Sequence, residues 1–377
     1  MISSEVCITE YNGLNIAWLE RDSKIQLLSV TKPEDDIVYN IYVGVVKHVM
    51  ANLNACFVEF IEGRLGFLSF NDVPAGVRIV EGALVTVQVV KEASKNKEAV
   101  LTMNLSLSGN YCVVDKSNTG LCISSKITGA DKEKIRNEIH YDGEYGVIVR
   151  TNTKELDDYN LLYDEISVLT EKLKMIESNA ATRTKWSVVY DAEPEYIRFI
   201  KGLTKGSYDR ISTDIPFVYD LIIKNISSDC DVALYKEDYS FAKLHSLETK
   251  LEEIMSKQIW LRSGGNIVIE YTEALTVVDV NSAKNVSKKD RETLILKTNI
   301  EACKEIARQL RLRNVSGIIV VDFINMKSEE SLNELISTLK NELKSDSVRC
   351  EFVEFTKLGL AHIVRKKIKP PVYEIMS

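Results

Sequence analysis

No Cys-x-x-Cys pair occurs anywhere in the 377 residues. The seven cysteines, Cys7, Cys56, Cys112, Cys122, Cys230, Cys303 and Cys350, are scattered and odd in number. This excludes a disulfide framework and a structural zinc site, and it implies reduced thiols in the cytoplasm. The four histidines, His48, His140, His245 and His362, fall at no ligand spacing. No apolar stretch approaches the ~18 residues needed to span a bilayer, so no membrane span is expected. The opening residues, MISSEVCITEYNGLN, have no basic segment followed by an apolar core, so no secretory leader is expected either. Excess positive charge is also missing: the net charge is −7, which excludes a chain that is basic as a whole. Two local basic runs remain, RQLRLR (308–313) and VRKKIK (364–369). Each reads either as a phosphate contact or, more commonly, as a solvated helix face.

What is there reads as an α+β multidomain chain. Hydrophobic content of 45% and charged content of 27% are ordinary for a globular protein, and this length argues for two to four modules. Residues 1–30 read as strand, turn, strand, with Asn12-Gly13 as the turn signal. KPEDD (32–36) is a polar break. Then come five short β runs, VGVVKHV, ACFVEFI, RLGFLSF, LVTVQVVKE and EAVLTMNL, which suggest a small barrel of the OB type. Residues 104–195 are mixed, with helical patterns at KEKIRNEIHY and from about 155 to 183, and strands at YGVIVR and WSVVYD. Residues 196–260 are mixed again, with one helix predicted from Phe241 to Met255. From Ile267 the pattern is strand, strand, helix, strand, helix, strand. The helix at about 290–312 carries Leu296, Ile300, Cys303, Ala307 and Leu310 on one stripe, which is a core face.

Two apolar runs end in carboxylates. ALTVVDVNSAK holds Asp279 and Asn281, and GIIVVDFINM holds Asp322. Short Val- and Ile-rich runs that meet an acid read as buried strands ending at a site. Asp279 and Asn281 are two apart, so on a strand they share a face. Two carboxylates and an amide oxygen suit Mg²⁺ or Mn²⁺, which prefer oxygen ligands. Taken singly, each aspartate could equally cap the helix or turn that follows it.

TEALTVVDVNSAK, NIEACKEIARQLRLRNVSGIIVVDFINM and LRSGGNIVIE resemble the catalytic region of the ribonuclease E/G family, bacterial endoribonucleases specific for single strands. NIYVGVVKHV, ACFVEF and GRLGFLSF resemble its S1 RNA-binding domain. The resemblance covers nearly the whole chain in the family's order. It implies an RNase H-like domain at 1–36 and 196–254, with an S1 domain inserted at 37–103. A 5′-sensor region would follow at 104–195, and a DNase I-like catalytic subdomain at 255–377.

The resemblance also implies roles. Asp279 and Asp322 would hold magnesium, with manganese able to substitute, and Asn281 would sit beside the metal and the scissile phosphate. Phe57 and Phe67 would hold single-stranded RNA, with Lys97 as their basic partner; alternation alone allows both rings to be barrel core. Arg150 and Thr151, with the backbone of Val113, would grip a 5′-monophosphate. The implied activity is Mg²⁺-dependent cleavage of A/U-rich single-stranded RNA in rRNA and mRNA processing and decay, leaving 5′-phosphate and 3′-hydroxyl ends. Neither the family's zinc link nor its small C-terminal domain is expected from these residues, so no zinc is expected, and a monomer or weak dimer is. In KLGLAHIVRKK, Leu358 and His362 depart from the family's pattern, and Lys357 stands where an arginine is usual. The alternative is an S1-type RNA-binding protein without catalysis. Retained carboxylates argue against it, because buried unpaired acids would cost stability without a metal.

Overall fold

The computed structural model describes residues 4–93, 97–117, 119–203, 206–226, 230–282 and 291–377. The chain divides into two compact units: Glu34–Pro194, and Met1–Pro33 together with Glu195–Ser377.

In the unit Glu34–Pro194, the five β runs are strands Ile41–Met50, Ala55–Ile61, Arg64–Ser69, Leu84–Lys91 and Ala99–Thr102. The first strand pairs with both the second and the fourth, so the five close into a barrel without free edges. Val46, Cys56, Val58, Phe60, Leu68, Val87, Val89 and Leu101 fill it. Gly66 is required by that closeness, because a Cβ there would lie 2.5 Å from the Leu101 side chain. Beside the barrel in sequence, a four-stranded sheet runs in the order Gly120–Ile123, Gly146–Val149, Cys112–Asp115, Ser106–Ser108. The helix Asn160–Ala180 buries Leu162, Ile166, Leu173 and Ile176 in the same core. It starts later than its sequence pattern suggests, because residues 151–155 form a separate tight turn and Asp158 Oδ1 accepts from the Asn160 amide at 2.9 Å.

The other unit begins with three antiparallel strands, Ser4–Tyr11, Leu14–Arg21 and Lys24–Thr31. The Asn12-Gly13 turn has both residues in the left-handed region, with φ of 52° and 73°. The next turn, Asp22-Ser23, does the same at 49° and 59° without a glycine, which is why the third strand left no turn signal in the sequence. Strands Arg210–Thr213 and Asp231–Leu234 extend this sheet in parallel. Helices Glu195–Gly202 and Pro216–Asn225 cover one face. The expected single helix from Phe241 to Met255 is two, Phe241–Leu244 and Leu247–Met255, broken where Ser246 adopts a φ of 49°.

On that sheet, burial alone would raise the Glu20 carboxyl, but hydrogen bonds from His245, Lys250 and Trp18 outweigh it and hold the group at about 2. A folded carboxyl that titrates below its unfolded counterpart stabilises the fold above the unfolded value, and the gain is lost as pH falls toward 2. The contribution is on the order of 3 kcal/mol. Glu20→Gln is therefore expected to melt lower than the parent at pH 7. The gap should shrink between pH 4.5 and 2, as read by thermal denaturation; a gap independent of pH would refute the assignment.

The last sheet runs in the order Gln258–Trp260, Asn266–Tyr271, Leu275–Asn281, Gly317–Asp322, Leu360–Arg365, Cys350–Phe355. Helices Arg291–Leu312 and Glu329–Lys344 cover one face of it. The arginines of the basic runs do not lie on solvated faces. Arg308 is bound by Glu305, Arg313 is 1% exposed, and Arg365 is buried against Asp346.

Candidate active site

Asp279 and Asp322 are direct partners in the register of two adjacent parallel strands, Leu275–Asn281 and Gly317–Asp322. A β-helix-β crossover produces this: each strand points the same way, so both carboxyl ends meet at one edge. Along both strands burial alternates. Thr276, Val278 and Val280, and Ile319 and Val321, face the helices. Asp279 and Asp322 are on the opposite, open face and both are exposed. Asn281 shares that face and is half-buried.

The helix-cap reading of Asp322 fails. The helix Glu329–Lys344 is capped by Ser328, whose hydroxyl accepts from the Ser331 amide at 3.2 Å. What Asp279 does engage is Asn281, whose Nδ2 donates to Asp279 Oδ2 at 2.8 Å. The same Nδ2 lies 3.4 Å from Asn266 Oδ1, on the neighbouring antiparallel strand where Asn266 and Asn281 are register partners. Held by its nitrogen, the Asn281 amide oxygen accepts from no group among the described residues. Asn266 was not legible as a site residue; only strand pairing brings it here. Gly265 just before it is required, since a Cβ would lie 2.5 Å from the Asn281 carbonyl oxygen.

The segment after Asp322 is pinned by side chains that carry no site signal in the sequence. Asn299 Nδ2 donates to Ile324 O at 2.8 Å, and its Oδ1 accepts from the Ile324 amide at 3.1 Å. Glu292 accepts from the Lys327 and Ser328 amides at 2.8 and 3.1 Å, and these bonds hold its carboxyl below the usual range. Glu301 accepts from the Arg262 and Ser263 amides at 2.6 and 2.9 Å. All three come from the helix Arg291–Leu312, so the crossover helix braces the loops on both sides of the carboxylates.

Two exposed carboxylates and one amide, all oxygen donors, form a set that fits a hard divalent cation. A second grouping, Glu5, Cys7 and His245, brings its ligand atoms within 4.8 Å of one another. These groups are already engaged within the protein. Ser212 donates to Glu5, Cys7 Sγ lies 3.7 Å from His245 Nδ1, and that nitrogen lies 3.5 Å from Glu20. Burial pushes the Cys7 thiol far up, which disfavours the thiolate a metal needs.

In the other unit, Phe57 and Phe67 are register partners on adjacent barrel strands, with ring centroids 5.9 Å apart and planes at 72°. Both are half-buried, while Cys56, Val58 and Leu68 take the interior. The barrel-core reading is therefore wrong: the rings sit side by side on the outside. Lys97 is exposed just before the strand Ala99–Thr102, whose Val100 pairs with Phe67. Arg150 closes the strand Gly146–Val149, which pairs with the strand carrying Val113. Its guanidinium donates to Gly109 O, and its amide to Tyr111 O at 2.7 Å. Thr151 opens the turn that follows.

The family model described as "Ribonuclease E/G family" matches residues 106–368. Ribonuclease E of Haemophilus influenzae is 31% identical over 360 residues, covering 89% of this chain and 38% of that protein. Ribonuclease E of Synechocystis is 28% identical over 370 residues, covering 90% of this chain and 54% of that protein. Ribonuclease G of Salmonella typhimurium is 28% identical over 366 residues, covering 90% of this chain and 75% of that protein. The chain thus spans between about two fifths and three quarters of these relatives' lengths.

Proposed function

Because the chain belongs to the ribonuclease E/G family, we propose that it is a divalent-cation-dependent endoribonuclease acting on single-stranded RNA. The observation that carries this reading is the register pairing of Asp279 with Asp322, with Asn281 bound to the first. On this reading the two carboxylates hold Mg²⁺ or Mn²⁺. A cation held there would supply Lewis acidity to a water and positive charge to the scissile phosphate. Asn281 does the positioning: its nitrogen is tied to Asp279, so its oxygen is placed to accept a hydrogen bond from the attacking water and orient it. Hydrolysis of this kind leaves a 5′-phosphate and a 3′-hydroxyl. We assign the sheet of the N-terminal strands to an RNase H-like domain and the barrel to an S1 domain. The 104–195 segment is the 5′-sensor and the sheet carrying Asp279 a DNase I-like subdomain. A cytoplasmic setting suits seven cysteines that are all free thiols.

The test is cleavage of a short A/U-rich single-stranded RNA in Mg²⁺ or EDTA, bearing a 5′-monophosphate or a 5′-hydroxyl. Metal-dependent cutting supports the enzyme. Binding without cutting at every protein concentration would replace it with a non-catalytic S1-type binder.

Phe57 and Phe67 present aromatic faces to any unpaired base, which is worth about 1–3 kcal/mol per base. Phe57→Ala and Phe67→Ala are each expected to weaken RNA binding roughly 5- to 150-fold, measured by titration of a labelled oligonucleotide. The lost edge-to-face contact should lower stability by about 0.5–1.5 kcal/mol, in addition to the apolar area each half-buried ring gives up. Unchanged affinity in both variants would refute the stacking surface.

A further inference from the structure

The turn beside Arg150 is held from behind by a carboxylate on another element. Glu165, in the first turns of the helix Asn160–Ala180, accepts from three consecutive backbone amides. Its Oε1 accepts from Asn110 N at 2.6 Å, and its Oε2 from Tyr111 N at 2.7 Å and Cys112 N at 2.9 Å. One carboxylate thus uses every amide of the segment 110–112. Charge-assisted bonds of this kind are about twice as strong as neutral ones.

The carbonyls of the same turn point the other way, at the 5′-end residues. Gly109 O accepts from the Arg150 guanidinium. Tyr111 O accepts from the Arg150 amide at 2.7 Å and from Thr153 Oγ1 at 2.9 Å. Asn110 O accepts from Asn152 Nδ2 at 3.5 Å. The segment therefore has two faces, with Glu165 on its donors and the residues from Arg150 to Thr153 on its acceptors. Gly109 matches this arrangement, because a Cβ there would run into the Glu165 carboxylate.

We propose that Glu165 is a positioning residue for 5′-end recognition: it locks the 109–112 turn, and the turn aims the Arg150 guanidinium at an incoming terminal phosphate. This rests on the 5′-monophosphate reading above. Glu165 does not touch the RNA. A guanidinium fork discriminates a terminal phosphate dianion by fixed geometry, and fixed geometry needs a fixed carbonyl behind it. With the turn released, Arg150 keeps its charge but loses its direction.

The test compares kcat/KM on one RNA bearing either a 5′-monophosphate or a 5′-hydroxyl. The parent is expected to prefer the monophosphate. Glu165→Gln keeps the size of the side chain but loses the charge and one acceptor, and it is expected to bring the ratio of the two values toward one. The loss should appear as a raised KM on the monophosphorylated RNA. Gly109→Ala, which displaces the carboxylate from the other side, is expected to do the same. General damage to the fold lowers both rates together and leaves the ratio at the parent value, and that result overturns the proposal. So does a higher ratio in Glu165→Gln, which would mean that Glu165 competes with the phosphate for the amides. A parent with no 5′-end preference at all removes the 5′-sensor reading itself, and the role of Glu165 with it.

Discussion

Replacing both Asp279 and Asp322 with asparagine is expected to abolish metal-dependent RNA cleavage, by at least about a thousandfold, without loss of fold stability. The two effects have one cause. The carboxylates are partners on adjacent strands and both are exposed, so neither belongs to a buried ion pair. Like charges facing each other across paired strands destabilise by about 0.2–1 kcal/mol. In EDTA, the double variant should therefore melt no lower than the parent, and slightly higher if the repulsion is felt. On the proposed reading the same change removes both anionic ligands, and interactions of this kind that stabilise transition-state charge are each worth about a hundred- to a thousandfold.

Mg²⁺ separates this reading from a purely structural one even before activity is measured. A cation that binds the folded state alone stabilises it by about 2.7 kcal/mol at a hundred times its Kd. For a unit of this size that raises the melting temperature by roughly 5–10 °C. The shift should appear in the parent and vanish in Asp279→Asn/Asp322→Asn. If the double variant still cuts RNA, or still gains the same thermal shift from Mg²⁺, these aspartates are not the metal site.

The carboxylates were legible because they break a strong pattern: an acid at the end of a Val- and Ile-rich strand has few reasons to be there. The barrel strands were legible through alternation, since period-two burial is a local signal. What could not be read depends on pairing across the chain. Asn266 joins the site only through its register with Asn281, fifteen residues away. Glu165 reaches the 110–112 amides across more than fifty residues, and a single Glu on a helix surface carries no mark of that. The third N-terminal strand was missed for a local reason: Asp22 and Ser23 both take left-handed backbone, a conformation that glycine announces and serine does not. Phe57 and Phe67 were ambiguous because alternation gives two faces without saying which is inside. The barrel's closure decides it.

The basic run VRKKIK shows where charge patterning misleads, and it carries the second large effect. Arg365 lies on the strand Leu360–Arg365 at a position that alternation turns toward the helices, and it is 4% exposed. Its Nε donates to Asp346 Oδ2 at 2.8 Å, and its Nη1 donates to Asn314 Oδ1 at 2.8 Å and to Val315 O at 3.1 Å. Asp346 is 4% exposed in turn. This is a buried ion pair tying the end of one strand to the chain after each covering helix, and it leaves Lys366 and Lys367 as the exposed charges of the run. Removing one partner strands the other charge in the core, at a cost of about 3–5 kcal/mol. Asp346→Ala is therefore expected to lower the melting temperature by roughly 6–20 °C. Replacing both partners, as in Arg365→Met with Asp346→Leu, should recover much of that loss, because no charge is left unpaired. Full recovery is not expected, since Asn314 Oδ1 and Val315 O would each lose a donor. An Asp346→Ala protein that melts with the parent would show that the arginine has escaped to solvent. VRKKIK would then be a solvated basic surface, the commoner of the two readings its sequence allows.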